Sequence, residues 1–224
     1  MKVVKPDFDR RERCGIPEVI YAEGKLLADT VIIAQKHLDE CGRVIITKMG
    51  EEEAKTLKSK LKLRGAVFSV NPRAKTVVVK NKNHKIDGIG IIGILTAGTS
   101  DIPIAEEAKE IAQELGIKVL TEYDVGVAGI HRLYPALDNM SKAQVLIVLA
   151  GMEGALPSVV SGLVDVPVIG VPTSVGYGTG AGGKAALYAM LNSCTPVAVV
   201  NIDNGYGAAV IAAQILRRGG KWQT

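Results

Sequence analysis

The chain of 224 residues is 47% hydrophobic and 22% charged, with 25 Gly but only two Phe, one Trp and six Tyr. So much aliphatic material at a net charge of +4 excludes a disordered chain and supplies core for one large or two small domains. The scarcity of aromatic rings argues against a single-stranded nucleic-acid binder, which stacks bases on such rings.

In chain order, Pro17–Ala22 reads as a strand, and Leu26–Cys41 as a helix whose apolar residues recur at helical spacing until Gly42. Arg43–Thr47 is a second strand. Glu51–Leu61 is a helix with acids in its first turn, where the macrodipole favours them. Ala66–Val70 and Thr76–Lys80 form a strand pair around Asn71-Pro72, and the polar run Asn81–Asp87 is a linker. Residues 1–87 thus read as a small basic α+β domain. Residues 1–88 hold 19 Lys and Arg against 12 Asp and Glu, a balance of +7; residues 89–224 hold 8 against 11, a balance of −3. Lys55, Lys58, Lys60, Lys62 and Arg64 stand beside Glu51, Glu52 and Glu53 and read as a solvated helix face, so no nucleic-acid partner is expected.

From Gly88 onward lie 20 of the 25 glycines, and one phrase repeats: apolar strand, Gly-rich loop, helix. The strands are Ile89–Leu95, Lys118–Glu122, Ala143–Leu149, Pro167–Val171 and Val197–Ile202. The helices are Ile102–Leu115, His131–Met140, Ala155–Leu163, Gly183–Ser193 and Tyr206–Arg217. Near-continuous Val/Ile/Leu strands alternating with helices predict an α/β domain over 88–224, a parallel three-layer sandwich of the flavodoxin or Rossmann kind. Ligands of such sheets sit at the carboxyl ends of the strands.

Gly88, Gly90 and Gly93 match GxGxxG by letter but lie inside a strand, so they read as small residues for close packing. Gly98-Thr99-Ser100-Asp101-Ile102-Pro103 stands at a strand end and a helix start: a cap, or an anion site with Asp101 free to contact a ligand or metal. Gly129-Ile130-His131-Arg132 joins a small-residue loop to a His-Arg pair, either structural or suited to phosphate and carboxylate. Gly151-Met152-Glu153-Gly154 puts one carboxylate in an apolar strand-to-helix turn, as a dipole-stabilised acid or as an acid–base group. Gly176 and Gly178 belong to a glycine-rich loop fit for close backbone approach, and Asp203 stands at the last strand end.

Cys14, Cys41 and Cys194 form neither CxxC nor a pair pattern, which excludes a disulfide framework and a zinc site. Cys194 follows a helix, where the negative helix end discourages a thiolate, so a cation such as Lys184, His131 or Arg132 is expected beside it. The first twenty residues carry many charges, and apolar runs such as Ala143 to Met152 are too short to span a bilayer, so a cytoplasmic protein with no membrane partner is expected.

Taken as a set, GIPEVIYAEGK, GTSDIPIAEEA, AGIHRL, GMEGALPSVVSGL, VPTSVGYG, MLNSC and VNIDNGYGAA resemble the LarB family from about Cys14 to Arg217. The back domain is similar to PurE, the aminoimidazole ribonucleotide carboxylase, which shares the SDxP loop of Ser100–Pro103 and the AGxxxxLPG segment of Ala150–Ser158. The resemblance implies a pyridinium-3,5-biscarboxylic acid mononucleotide synthase. Such an enzyme carboxylates nicotinic acid adenine dinucleotide at ring C5 and hydrolyses the phosphoanhydride, releasing AMP. The co-substrate is CO2 or bicarbonate, the product feeds nickel-pincer nucleotide synthesis, and no organic cofactor is required. The resemblance makes Cys194 the covalent nucleophile and Glu153 its acid–base partner. Gly98, Thr99, Ser100, Asp101, Gly129, His131, Arg132, Gly151, Met152, Gly176, Gly178 and Asp203 are the expected substrate-binding residues. Mg2+ held by Asp101 is expected at the phosphates, and the assembly is expected to be a homo-octamer. One departure is visible: Val197 follows Pro196 directly, where the family reads NSCxPG. A PurE-type carboxylase or mutase and a non-catalytic nucleotide-binding module are the alternatives. PurE carries His at the position of Ala155, which argues against the first.

Overall fold

The computed structural model describes residues 4–219, so the extreme ends of the two expected domains, 1–3 and 220–224, lie outside the described residues. Two compact units divide between Ile86 and Asp87.

The first unit holds α1 (Arg10–Cys14), β1 (Ile20–Tyr21), α2 (Leu27–Cys41), β2 (Arg43–Thr47), α3 (Glu51–Lys60), β3 (Val67–Asn71) and β4 (Thr76–Lys80). Its sheet runs β1-β2-β4-β3, with β1 parallel to β2 and the other pairs antiparallel. Val44 and Ile46 on β2 and Val77 and Val79 on β4 meet Ala34 and Leu38 of α2 and Ala54 and Leu57 of α3 in one core. Alternation sends those strand residues to one face. The sequence reading contains no α1, because its five residues bury nothing and leave no apolar period. The first strand is only two residues long, and α3 stops at Lys60 with Leu61 extended and buried, so Lys62 and Arg64 stand beyond the helix.

The second unit holds β5 (Gly90–Thr96), α4 (Ile102–Glu114), β6 (Ile117–Glu122), α5 (Leu133–Asn139), β7 (Val145–Ala150), α6 (Leu156–Ser161), β8 (Val168–Pro172), α7 (Lys184–Leu191), β9 (Val197–Val199) and α8 (Gly205–Gly219). The five strands are all parallel in the order β6-β5-β7-β8-β9. This is a doubly wound α/β sheet whose direction of winding reverses between β5 and β7. Leu133, Leu156, Val160, Ala186 and Met190 of α5, α6 and α7 pack on one face against Leu95, Leu146, Val148 and Val168. On the other face α4 and α8 lie together. Ala105, Ala108 and Ala112 of α4 and Ala208, Ala209, Ala212 and Ala213 of α8 are wholly buried, their small side chains letting helix and sheet approach.

A Cβ at Gly93 would lie 2.5 Å from Leu146 and Met140, and one at Gly90 2.9 Å from Leu216. The GxGxxG letters therefore serve packing. The helix expected from His131 starts at Leu133 instead, placing Pro135 in its first turn, where its missing N–H costs nothing. His131 and Arg132 belong to the preceding 3-10 turn, Val127–Arg132. The last strand ends early because Asn201 turns its side chain onto the Ile202 N–H and Asp203 adopts a left-handed φ of 56°.

Candidate active site

Parallel strands put all five carboxyl ends on one edge, so the loops at 97–101, 123–132, 151–155, 173–183 and 200–204 gather there. Hydrogen bonds tie them together. The Gly126 N–H donates to the Ala97 carbonyl, the Met152 N–H to the Val175 carbonyl and the Asp203 N–H to the Pro172 carbonyl. The Ser174 N–H closes the set on Asp203 Oδ1 at 2.8 Å.

Asp101 lies at the centre and is only 3% exposed. Its Oδ1 accepts from the Thr173 hydroxyl at 2.6 Å and its Oδ2 from the Gly98 N–H at 2.8 Å. Burial pushes the carboxyl above its usual range, while the Thr173 and Gly98 bonds pull it back and the Asp203 charge adds to the rise. One side chain thus locks the loop after β5 to the loop after β8. Thr99 and Ser100, lifted on that lock, are exposed.

The expected Mg2+ does not fit this carboxylate. Both oxygens are already bonded within the chain, the group is buried, and no three His, Cys, Asp or Glu converge on a metal position among the described residues. Mg2+ demands near-octahedral oxygen ligation with several waters, whereas both oxygens of this buried carboxylate already accept hydrogen bonds within the chain.

Glu153 is exposed beside the winding reversal, on a turn whose Met152 and Gly154 are both left-handed (φ 53° and 65°). A Cβ at Gly151 would lie 2.3 Å from the Val175 carbonyl oxygen, and one at Gly154 2.7 Å from the Ala186 backbone. Such close approach demands glycine, and it turns the Glu153 carboxylate away from the core.

Arg132 folds over Gly129, where a Cβ would lie 2.7 Å from Nε, and bonds Asp124 Oδ2 at 2.6 Å. His131 beside it is exposed. Gly176 packs under the Gly180 carbonyl, 2.5 Å from where its Cβ would lie, and Gly178 is left-handed at 57° and open to solvent. Asp124 and Thr173 escape sequence reading, since Thr173 lies 72 residues from its partner Asp101 and no spacing rule joins them.

Cys194 stands elsewhere. It precedes β9, and the β8–β9 register pairs Val168 with Val197, so it lies at the amino edge. Four strand steps to Pro172 separate it from the loops above by about 13 Å or more. The thiol is exposed. Its neighbours are fastened to α6, with Thr195 Oγ1 donating to the Ser158 carbonyl at 3.0 Å and Ser161 Oγ to the Pro196 carbonyl at 2.8 Å. The cations expected beside the thiol are on the other edge: His131 and Arg132 follow β6, and Lys184 lies a full helix of about 12 Å from the Cys194 loop. One chain therefore does not bring Cys194 to Glu153.

A winding reversal with five laced loops, four of them bearing glycine, defines a doubly wound α/β protein with its ligand crevice at the strand ends. Residues 91–221 match the AIR carboxylase family, and residues 1–82 match the LarB/PurE-like N-terminal domain. The chain belongs to the LarB family, whose C-terminal domain is PurE-like, and so to a superfamily of carboxylase-type enzymes.

The chain is 47% identical over 220 residues to an uncharacterized protein of Methanocaldococcus jannaschii, covering 96% of this chain and 84% of that one. It is 37% identical over 134 residues to the N5-carboxyaminoimidazole ribonucleotide mutase of the same organism, covering 56% of this chain and 78% of the mutase. Among solved structures, a variant of PurE2 from Treponema denticola aligns with a TM-score of 0.46 at 24% identity, covering 57% of this chain and 79% of that one. No helix among the described residues is long and apolar enough to cross a membrane.

Proposed function

We propose that the protein carboxylates the pyridinium ring of nicotinic acid adenine dinucleotide at C5 and releases AMP, as pyridinium-3,5-biscarboxylic acid mononucleotide synthase. What carries the reading is the joint match to the LarB-type N-terminal and AIR carboxylase domains in a chain with Ala155 in place of the PurE histidine and with Cys194 before the last strand.

A pyridinium ring is electron-poor and does not attack CO2. Addition of the Cys194 thiolate to a ring carbon moves a π electron pair onto the ring nitrogen and makes C5 an enamine carbon. C5 then forms the new bond to CO2. Removal of the C5 proton by Glu153 returns an electron pair to the ring and expels the thiolate. Covalent catalysis of this kind divides one difficult substitution into three easier steps, and thiolate suits it as both nucleophile and leaving group. Attack of water on the phosphoanhydride then gives AMP and the mononucleotide. The exposed amides and hydroxyls of Thr99 and Ser100 and the side chains of His131 and Arg132 supply phosphate contacts. Asp101 acts from below by holding the Gly98–Ser100 loop. No step here runs through a metal.

Because Cys194 and Glu153 lie at opposite sheet edges of one chain, the reacting ring sits between copies, with the thiol delivered by a second subunit. Tyr188 and Leu191, both more than half exposed and three residues apart on α7 as it runs toward the Cys194 loop, give an apolar face that suits such a subunit contact. A closed homo-oligomer such as an octamer satisfies this geometry.

The decisive experiment incubates the protein with nicotinic acid adenine dinucleotide and bicarbonate and follows products by mass spectrometry. AMP together with a biscarboxylated mononucleotide is the expected result, with substrate mass trapped on Cys194 and not on Cys14 or Cys41. Turnover of aminoimidazole ribonucleotide instead would overturn the reading.

A further inference from the structure

The first unit carries a site of its own. Lys62 and Arg64 rise from the turn that joins α3 to β3, and Lys82 follows β4. Together they line a cavity of about 570 Å³. The turn is fixed rather than loose: the Lys62 N–H donates to Gln35 Oε1 at 2.8 Å, and the Ala66 N–H to the Leu63 carbonyl at 2.7 Å. Arg64 and Gly65 are both left-handed within it, at 45° and 84°. An arginine adopts that backbone only under constraint, which here presents its side chain at the cavity.

The charges at the cavity are not compensated. Asp39 is the one carboxylate lining it, exposed and 4.0 Å from Arg64, at the limit of an ion pair. Neither Lys62 nor Lys82 has an ion-pair partner among the described residues. Three cations against one carboxylate leave a local balance of +2. Leu38 and Leu63 add an apolar floor, and Asn81 and Asn83 add amides. A concave surface with excess positive charge concentrates anions, and guanidinium with ammonium groups matches phosphate oxygens. The volume falls within the range of small-molecule sites.

We propose that this cavity binds a small phosphate-bearing molecule of nucleotide size. Lys62, Arg64 and Lys82 hold the phosphate, and Leu38 and Leu63 support the organic body. The inference stands apart from the reaction proposed above, because its test reads binding and not turnover.

Hydrogen-exchange mass spectrometry of the full chain, titrated with AMP and separately with inorganic phosphate, provides the test. Protection is expected in peptides covering residues 61–67 and 80–85. In the double variant Lys62→Glu/Lys82→Glu the concentration for half-protection should rise about tenfold or more, because two attractive charges become repulsive. Both lysines lack ion-pair partners among the described residues, so the fold should be unchanged; wild-type exchange in first-unit peptides away from the cavity, over 27–37 and 43–47, checks this. Protection by phosphate alone would mark a site that reads the phosphate group, and protection by AMP only a site that also reads the nucleoside; both support the proposal. Absence of protection in these peptides with either probe, or equal protection in the double variant, would overturn it.

Discussion

At the carboxyl edge of the five-stranded sheet, five loops are laced to one another by backbone bonds and by the buried Asp101, with glycines where a Cβ would strike backbone. At the amino edge, the Cys194 segment is fastened to α6 through Ser158 and Ser161 and to the end of α7 through Met190, and it leaves its thiol in solvent. On the reaction proposed above, the laced edge and the exposed thiol are two halves of one site that close when copies meet.

The largest expected effect tests that division directly. Cys194→Ser and Glu153→Gln should each lower carboxylation by about a hundredfold to ten-thousandfold, as loss of a nucleophile or a proton carrier does. If the halves come from different copies, dissociating and reassembling an equal mixture of the two inactive variants restores about a quarter of wild-type activity, the chance of pairing an intact half with an intact half. Recovery of none, measured by AMP release, would place both groups in one chain's site and break the comparison.

Next in size is a backbone effect at the laced edge. Gly154→Ala forces a side chain into a left-handed turn and against the Ala186 backbone, 2.7 Å away. A destabilisation of about 2–4 kcal/mol in urea unfolding is expected, from the left-handed penalty plus overpacking. Gly178→Ala, left-handed but with nothing within 4 Å, serves as the control and should cost about 1–2 kcal/mol, the left-handed penalty alone.

The third effect is a change with pH. Burial raises the Asp101 carboxyl in the folded chain above its ordinary 3.8, so between those values the folded state binds the extra proton. Stability contributed by this group is therefore greatest below 3.8 and declines as pH rises through the raised value. Asp101→Asn removes the titration. Its amide oxygen can accept from the Gly98 N–H and its NH2 can donate to the Thr173 hydroxyl, so stability at neutral pH should change by no more than about 1 kcal/mol. The difference between variant and wild type in urea unfolding should shift in the variant's favour as pH rises from 3.8. A flat difference would show that Asp101 is not the buried lock.

Much of this was legible beforehand, and the reasons differ by element. Val/Ile/Leu runs with intervening helices give the parallel sheet its signature, and strand direction alone then assigns the loops to one edge. Arg43–Thr47 and Thr76–Lys80 match the reading residue for residue, because their flanking Gly42 and Lys75 turns leave little choice of boundary. What stayed hidden were relations across sequence. Thr173 answers Asp101 only once β5 and β8 are placed, and Asp124 reaches Arg132 only once the 3-10 turn replaces the helix start. The separation of Cys194 from Glu153 was implicit in the strand boundaries, since Cys194 precedes β9, but motif resemblance joins residues by role and carries no distance.

The smallest predicted effect sharpens what holds the carboxyl edge. Arg132 and Asp124 form its most conspicuous ion pair, 2.6 Å apart, yet their side chains are 40% and 47% exposed. Water and salt screen such a pair, so it contributes about 0.2–1 kcal/mol at most. Asp124 also occupies a left-handed backbone position, φ 61°, which asparagine tolerates well. Asp124→Asn therefore preserves the turn while removing the charge. The expected loss is about 0.5 kcal/mol in low salt, vanishing in high salt, where the pair is already screened. The freed Arg132 guanidinium should then lower KM for a phosphate-bearing substrate with little change in kcat. A loss of stability several times larger, persisting in high salt, would mean that the edge depends on this surface pair and not on Asp101 and the backbone bonds beneath it.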